Sequence, residues 1–90
     1  MLNLQHLATF VTVAQLCSFT RAAAELGHSQ SSVTVQIQAL EKELGAPLFQ
    51  RSRFSKTIAL TEEGRRAVKY AGKLLALAEK TKSAIRRRRA

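Results

Sequence analysis

The sequence predicts a mainly helical fold: three short helices, a small two-stranded hairpin and one long final helix. Three observations predict it. Apolar residues recur at helical spacing in four separate stretches, bounded by capping residues. The stretch from Pro47 to Leu60 departs from that spacing and reads as two short extended runs. Gly27 and His28 leave only a tight turn between the second and third helices. A helix pair joined this way, with one helix before it and a basic hairpin after it, outlines a winged helix-turn-helix.

The first helix is carried by Leu4, Leu7, Ala8, Val11 and Ala14, with Phe10 and Val13 widening its apolar face. The residues CSFT break it, and Ser18 is placed to cap a second, short helix. Phe19, Ala22, Ala23 and Leu26 form that helix's inner side, and Gly27 supplies a left-handed stop. Ala22 to Ala24 add little bulk and favour close approach of helices. Ser29 is a good cap for the third helix, which is expected to run to about Leu44. Its large apolar residues, Val33, Ile37, Leu40 and Leu44, make one stripe facing a core. Gly45 ends it, and Pro47 follows.

PLFQRS and KTIALT are the two extended runs, with Phe49, Ile58 and Leu60 as core-facing positions. Thr61 caps the fourth helix, and Glu62 and Glu63 in its first turn complement the helix dipole. That helix runs from about Glu62 to the mid-eighties. Val68, Ala71, Leu75, Ala78 and Ile85 fit heptad a and d positions, with Lys82 as the one break and Ala67, Leu74, Leu77, Thr81 and Tyr70 alongside. So broad an apolar face predicts two contacts, one with its own domain and one with a second copy of the chain. Residues 1–61 are therefore expected to form one domain and residues 62–90 a linker and dimerisation helix with a basic end.

Ninety residues with 46% hydrophobic content suffice for one modest core. The net charge of +9 is unevenly placed. Residues 1–49 hold two basic and three acidic side chains, a balance of −1; residues 50–90 hold thirteen and three, a balance of +10. This asymmetry suggests a polyanionic partner, nucleic acid or an anionic membrane surface. The single cysteine, Cys17, allows no internal disulfide and points to a reducing compartment; it is expected to be an inert, partly buried small residue. The opening residues lack the positive start of a signal peptide, and no run approaches roughly 18 apolar residues. A cytoplasmic location is expected.

Catalysis is not. His6 and His28 have no Cys or carboxylate cluster near them in sequence, so no metal is expected. There is no glycine-rich phosphate loop, no nucleophile with a base partner and no cofactor motif. Glu62 and Glu63 are adjacent, and adjacent residues on a helix do not converge on one atom.

The third helix carries the functional signal. At about 100° per residue, Ser31, Val35, Gln38 and Lys42 point away from its apolar stripe, with Thr34 on the flank and Gln30 near the start. That outer face has no charge until Glu41, although a surface helix of so basic a chain would ordinarily carry Lys and Glu. Short hydroxyls, amides and one exposed methyl-bearing residue suit the reading of base edges in a DNA major groove. Val35 is the telling residue, because it gains nothing in folding there and would suit a thymine methyl. Gln30 and Gln38 on an arbitrary helix would simply be solvated, but in this fold they are expected to contact a base or a phosphate. Ser29 is a cap first, beside N–H groups that could hold a phosphate. Thr34 could meet a base edge or a phosphate. In the hairpin, Arg51, Arg53 and Lys56 suit phosphates or the minor groove. Arg65, Arg66, Lys69, Lys73 and the run Arg86 to Arg89 read first as solvated charge.

These residues also match a family. Residues 7–33, LxTFVTVAxxxSFTRAAAELGHSQSSV, residues 36–51, QIxxLEKELGxPLFxR, and residues 60–64, LTEEG, together resemble the N-terminal DNA-binding domain of LysR-type bacterial transcriptional regulators. The resemblance covers nearly the whole chain. It implies a winged helix-turn-helix whose linker helix pairs antiparallel with its copy in a dimer, a tetramer being left open for a full-length protein. It implies binding to double-stranded DNA at an interrupted inverted repeat. A small-molecule effector would be sensed only through a C-terminal domain for which 90 residues leave no room, so an excised fragment is expected. Carried onto this chain, groove reading falls on Gln30, Ser31, Thr34 and Val35, phosphate and wing contacts on Arg51 and Arg53, and the linker contact on the seam from Val68 to Ile85.

Three positions depart from the family's pattern. Ser31 stands where many members have proline, leaving the start of the third helix less stiff. Val35 stands where arginine is frequent, which removes a guanine contact and favours a thymine-rich or differently spaced target. The span from Phe49 to Leu60 is slightly long, leaving the minor-groove residue open between Arg53 and Lys56. Two other functions compete: an architectural binder using the basic half without sequence preference, and a membrane-surface or protein-interaction module built on the fourth helix. The last is disfavoured because that helix lacks Trp and Phe on its apolar side.

Overall fold

The computed structural model describes residues 1–51 and 58–88, the side chains of Arg51 and Arg88 excepted. Its elements are α1 (Leu4–Leu16), α2 (Phe19–Leu26), α3 (Gln30–Leu44), β1 (Phe49–Arg51), β2 (Ile58–Leu60) and α4 (Glu62–Arg88). The strands pair antiparallel, with Phe49 opposite Leu60 and Arg51 opposite Ile58. This is the mainly helical winged helix-turn-helix that the spacing predicts.

Helix ends are set by short polar side chains and by left-handed backbone. Ser18 accepts the backbone N–H of Arg21, and Ser29 that of Ser32, each at 3.1 Å. Gly27 and Gly45, at φ 70° and 76°, close α2 and α3. Two ends are new. Asn3 caps α1 through bonds from the N–H groups of Gln5 and His6. Cys17 closes α1 in the left-handed region, at φ 52°, its N–H bonded to the Val13 carbonyl at 2.8 Å. The expectation of a partly buried Cys17 is therefore corrected: the left-handed turn carries its side chain off the inner face of α1, and it is exposed.

The core joins all the helices. Leu7, Phe10 and Val13 of α1 meet Phe19, Ala22 and Ala23 of α2, and Val33, Ile37 and Leu40 of α3, with Leu48 and Ala71 closing it. Fully burying one such large side chain contributes roughly 1.5–3 kcal/mol. Leu44 does not belong to the core as the stripe predicts. Burial on α3 stops at Leu40, and Leu44, in the last turn, is 42% exposed.

The wing is fastened at three points. Phe49 packs edge-to-face on Phe10 (5.4 Å between ring centres) and on Phe19 (5.7 Å). Glu41 Oε2 accepts the Leu48 N–H at 2.7 Å, tying the last turns of α3 to the approach to β1. Thr61 donates its hydroxyl to the Pro47 carbonyl at 2.7 Å and accepts the Gly64 N–H at 2.9 Å, so it caps α4 while anchoring it. At the opposite end of the core, the Met1 ammonium lies 2.9 Å from Glu43, and this hydrogen-bonded charge holds the Glu43 carboxyl below its ordinary range.

The seam of α4 is partly occupied within the chain. Ala71 is buried against its own domain, and Val68 and Leu75 are half-buried against the same core. These three inner positions are used within the chain. The large apolar residues that α4 leaves open are Tyr70, Leu74, Leu77 and Ile85. A heptad register records which positions are apolar, not which surface covers them.

Candidate nucleic-acid interface

Helix α3 packs its inner stripe on α1 and α2, which fixes the direction of the opposite face. Ser31, Val35, Gln38 and Lys42 are all exposed, and Val35 is 62% exposed. Ser29 and Gln30 are exposed at the start of the helix, and Thr34 is half-buried on its flank. Six of the expected contact residues thus share one surface: Ser29, Gln30, Ser31, Thr34, Val35 and Gln38. Arg53 and Lys56 lie outside the described residues, as does the side chain of Arg51. Beside this face a cleft of about 370 Å³ opens between α3 and the wing, lined by Phe19, Thr34, Ile37, Gln38, Glu41, Pro47 and Phe49.

Hydrogen bonds within the chain set what each side chain can still offer. Thr34 donates its hydroxyl proton to the Gln30 carbonyl at 3.1 Å. Its oxygen is left as an acceptor, which suits a base amino group and not a phosphate, since phosphate oxygens only accept. Gln30 Oε1 accepts from the Thr20 hydroxyl at 3.2 Å, so its amide N–H₂ remains free to donate. The Ser29 oxygen accepts the Ser32 N–H and sits 3.4 Å from the Ser31 hydroxyl oxygen. Val35 offers methyl groups alone.

Three participants escaped the reading of the sequence. Thr20, exposed in the first turn of α2, orients Gln30. Gln36 bonds inward, to Thr9 of α1. Glu41 secures the wing. Gln36 had a signal, a polar residue among Val33, Ile37 and Leu40 on the inward half of the helix; the other two had none.

Fold and surface together define a winged helix-turn-helix protein of the regulatory kind. Residues 4–65 match the family described as bacterial regulatory helix-turn-helix protein, lysR family, and the chain belongs to that family. The transcriptional regulator YwqM of Bacillus subtilis (strain 168) is 46% identical over 83 residues, covering 92% of this chain and 28% of that protein. The chain therefore spans well under half the length of that relative. Among solved structures, the BenM DNA-binding domain in complex with catB site 1 DNA superposes with a TM-score of 0.88 at 40% identity, covering 96% of this chain and 93% of that one. The CbnR DNA-binding domain in complex with DNA gives 0.92 at 32% identity, covering 99% and 100%. No described helix is long and apolar enough to cross a membrane.

Proposed function

We propose that this chain is the DNA-binding region of a dimeric transcriptional regulator and reads double-stranded DNA at an interrupted inverted repeat. Helix α3 enters the major groove and the basic wing lies at the minor groove. The observation that carries this reading is the exposed polar face of α3, uncharged from Ser29 to Gln38, with Val35 at its centre. A helix held only for its charge would present Lys and Arg there. The similarity to the BenM and CbnR domains, both solved on DNA, supports the same reading.

In this reading residues 1–61 contact DNA and residues 62–90 join two copies. Tyr70, Leu74, Leu77 and Ile85 supply the open apolar positions on α4. Leu74 also borders an apolar depression of about 540 Å³ with Met1, Leu2, Leu4 and Leu7, which extends the patch to the start of α1. An exposed patch of this kind marks an interaction site. The protein acts by binding, without catalysis, in the bacterial cytoplasm.

Selection of bound duplexes from a randomised library, at near-physiological salt, tests the proposal. Enrichment of an inverted repeat is expected, and its half-site spacing reports the separation of the two α3 helices. Binding without enrichment would transfer the function to an architectural role. Salt dependence alone does not separate the two, because phosphate contacts dominate affinity in both.

A further inference from the structure

One polar side chain of α3 points away from the outer face of the helix and toward α1. Gln36 is half-buried on the inward flank of the helix. Its Oε1 accepts from the Thr9 hydroxyl at 2.6 Å, and Thr9 is completely buried in α1. Its Nε2 lies 3.3 Å from His28 Nδ1, in the turn between α2 and α3, and 3.4 Å from Ser32 Oγ, one turn earlier on α3. A single amide thus joins α1, the turn and α3.

Beside this amide, Leu7, Phe10 and Val13 of α1 share an apolar cluster with Val33, Ile37 and Leu40 of α3. Apolar burial is non-directional and tolerates a small roll of one helix on another. Hydrogen bonds weaken steeply when misaligned, so bonds from an α3 amide to α1 and to the turn resist that roll. A polar pair in such a place generally adds less stability than apolar residues of the same shape, and its best-attested use is to fix register. The consequence at the outer face is large. Side-chain tips lie about 5–6 Å from the helix axis, so a roll of about 15° displaces them by about 1.5 Å. That shift exceeds the few tenths of an ångström over which base-edge hydrogen bonds stay good.

Resting on the DNA-reading function above, we propose that Gln36 is the positioning residue of the recognition helix. Its amide fixes the roll of α3 against α1, and so the direction in which Gln30, Ser31, Thr34 and Val35 meet base edges. Gln36 itself touches no base.

Two substitutions separate positioning from simple support. Gln36→Met keeps the length and removes every hydrogen bond. Gln36→Glu keeps the network, because the Thr9 and Ser32 hydroxyls and the Nδ1–H form of His28 can all donate to a carboxylate. Two quantities are read at one salt concentration: the orientation of α3 relative to α1 in the free chain, from residual dipolar couplings, and the ratio of affinities for the selected duplex and its single-base variants. Gln36→Met is expected to rotate α3 and to lower that ratio by roughly 3- to 30-fold, the span covered by couplings of this kind. Gln36→Glu is expected to restore both, its added charge weakening all duplexes alike. Should Gln36→Met fail to fold, Thr9→Val breaks the 2.6 Å bond from the other side and is read the same way. An unrotated α3 in Gln36→Met, or in its substitute, overturns the proposal whatever happens to stability. A wild-type chain that does not discriminate between duplexes defeats the DNA-reading function instead, and the couplings still decide the role of Gln36.

Discussion

Gly64, the third residue of α4, lies flat against the backbone carbonyl of Leu48. A Cβ at Gly64 would overlap that oxygen and come within 3.1 Å of the carbonyl carbon and 3.0 Å of Leu60 Cδ2. The same carbonyl accepts the Thr61 N–H at 3.0 Å, so it has little freedom to retreat. Alanine within a helix is favoured over glycine by about 1 kcal/mol, whereas overpacking costs about 1–3 kcal/mol. Because the obstacle here is backbone, the steric term should win. Gly64→Ala is expected to lower stability by up to about 2 kcal/mol in urea unfolding. An unchanged midpoint would mean that the wing and α4 can part without loss.

Cys17 should respond in the opposite sense. It holds φ 52°, a region costing a residue with a side chain roughly 1–2 kcal/mol relative to glycine. Its thiol makes only a long, 3.6 Å bond to the Ala14 carbonyl and is exposed. Cys17→Gly is therefore expected to raise stability by about 0.5–1 kcal/mol after the entropy of the unfolded chain is counted. A lower melting temperature would show that the thiol contact outweighs the strain.

Val35→Ala isolates the readout. The side chain is 62% exposed, so stability should change by no more than about 0.5 kcal/mol. The base preferred at one position of each half-site is expected to relax, with a small loss of overall affinity. If selection returns the same preference with alanine, Val35 has no part in recognition.

The two faces of α4 can be told apart by charge. Leu77 is 60% exposed, while Leu75 is half-buried on its own core. Leu77→Glu is expected to weaken self-association in sedimentation while leaving the folded domain intact, and to reduce affinity for a duplex with two half-sites. Leu75→Glu should weaken association too, but with loss of the domain's own stability. Leu77→Glu that sediments like the wild type would remove that face from the dimer contact.

What could be read in advance follows from the kind of interaction involved. Ser18, Ser29 and Thr61 cap helices as expected because a helix end needs a short polar side chain nearby in sequence. The outward direction of Ser31, Val35 and Gln38 follows from helical geometry alone. Contacts across the chain do not. Thr9 and Gln36 are 27 residues apart, and the inward position of Gln36 does not say which residue it meets. Gly64 resembles a weak helix residue until Leu48 is placed beside it. Val68, Ala71 and Leu75 show a third limit, since an apolar stripe looks the same whether its own domain or a second copy covers it.

The far end of α4 has a consequence for how this chain behaves on dilution. From Glu79 to Arg87 every side chain is exposed, and the side-chain contacts that hold those turns among the described residues are local ones, Thr81 to the Leu77 carbonyl and Lys82 to Glu79. Nine residues alone would fall short of the roughly 12–15 at which a helix becomes even marginal in water, so these turns depend on propagation from the packed part of α4. Lys80, Lys82, Arg86 and Arg87 also repel one another there, with Glu79 the sole counter-charge. Where a second copy covers this stretch, its ellipticity grows with concentration. The melting temperature then belongs to a population of molecules, not to any one of them.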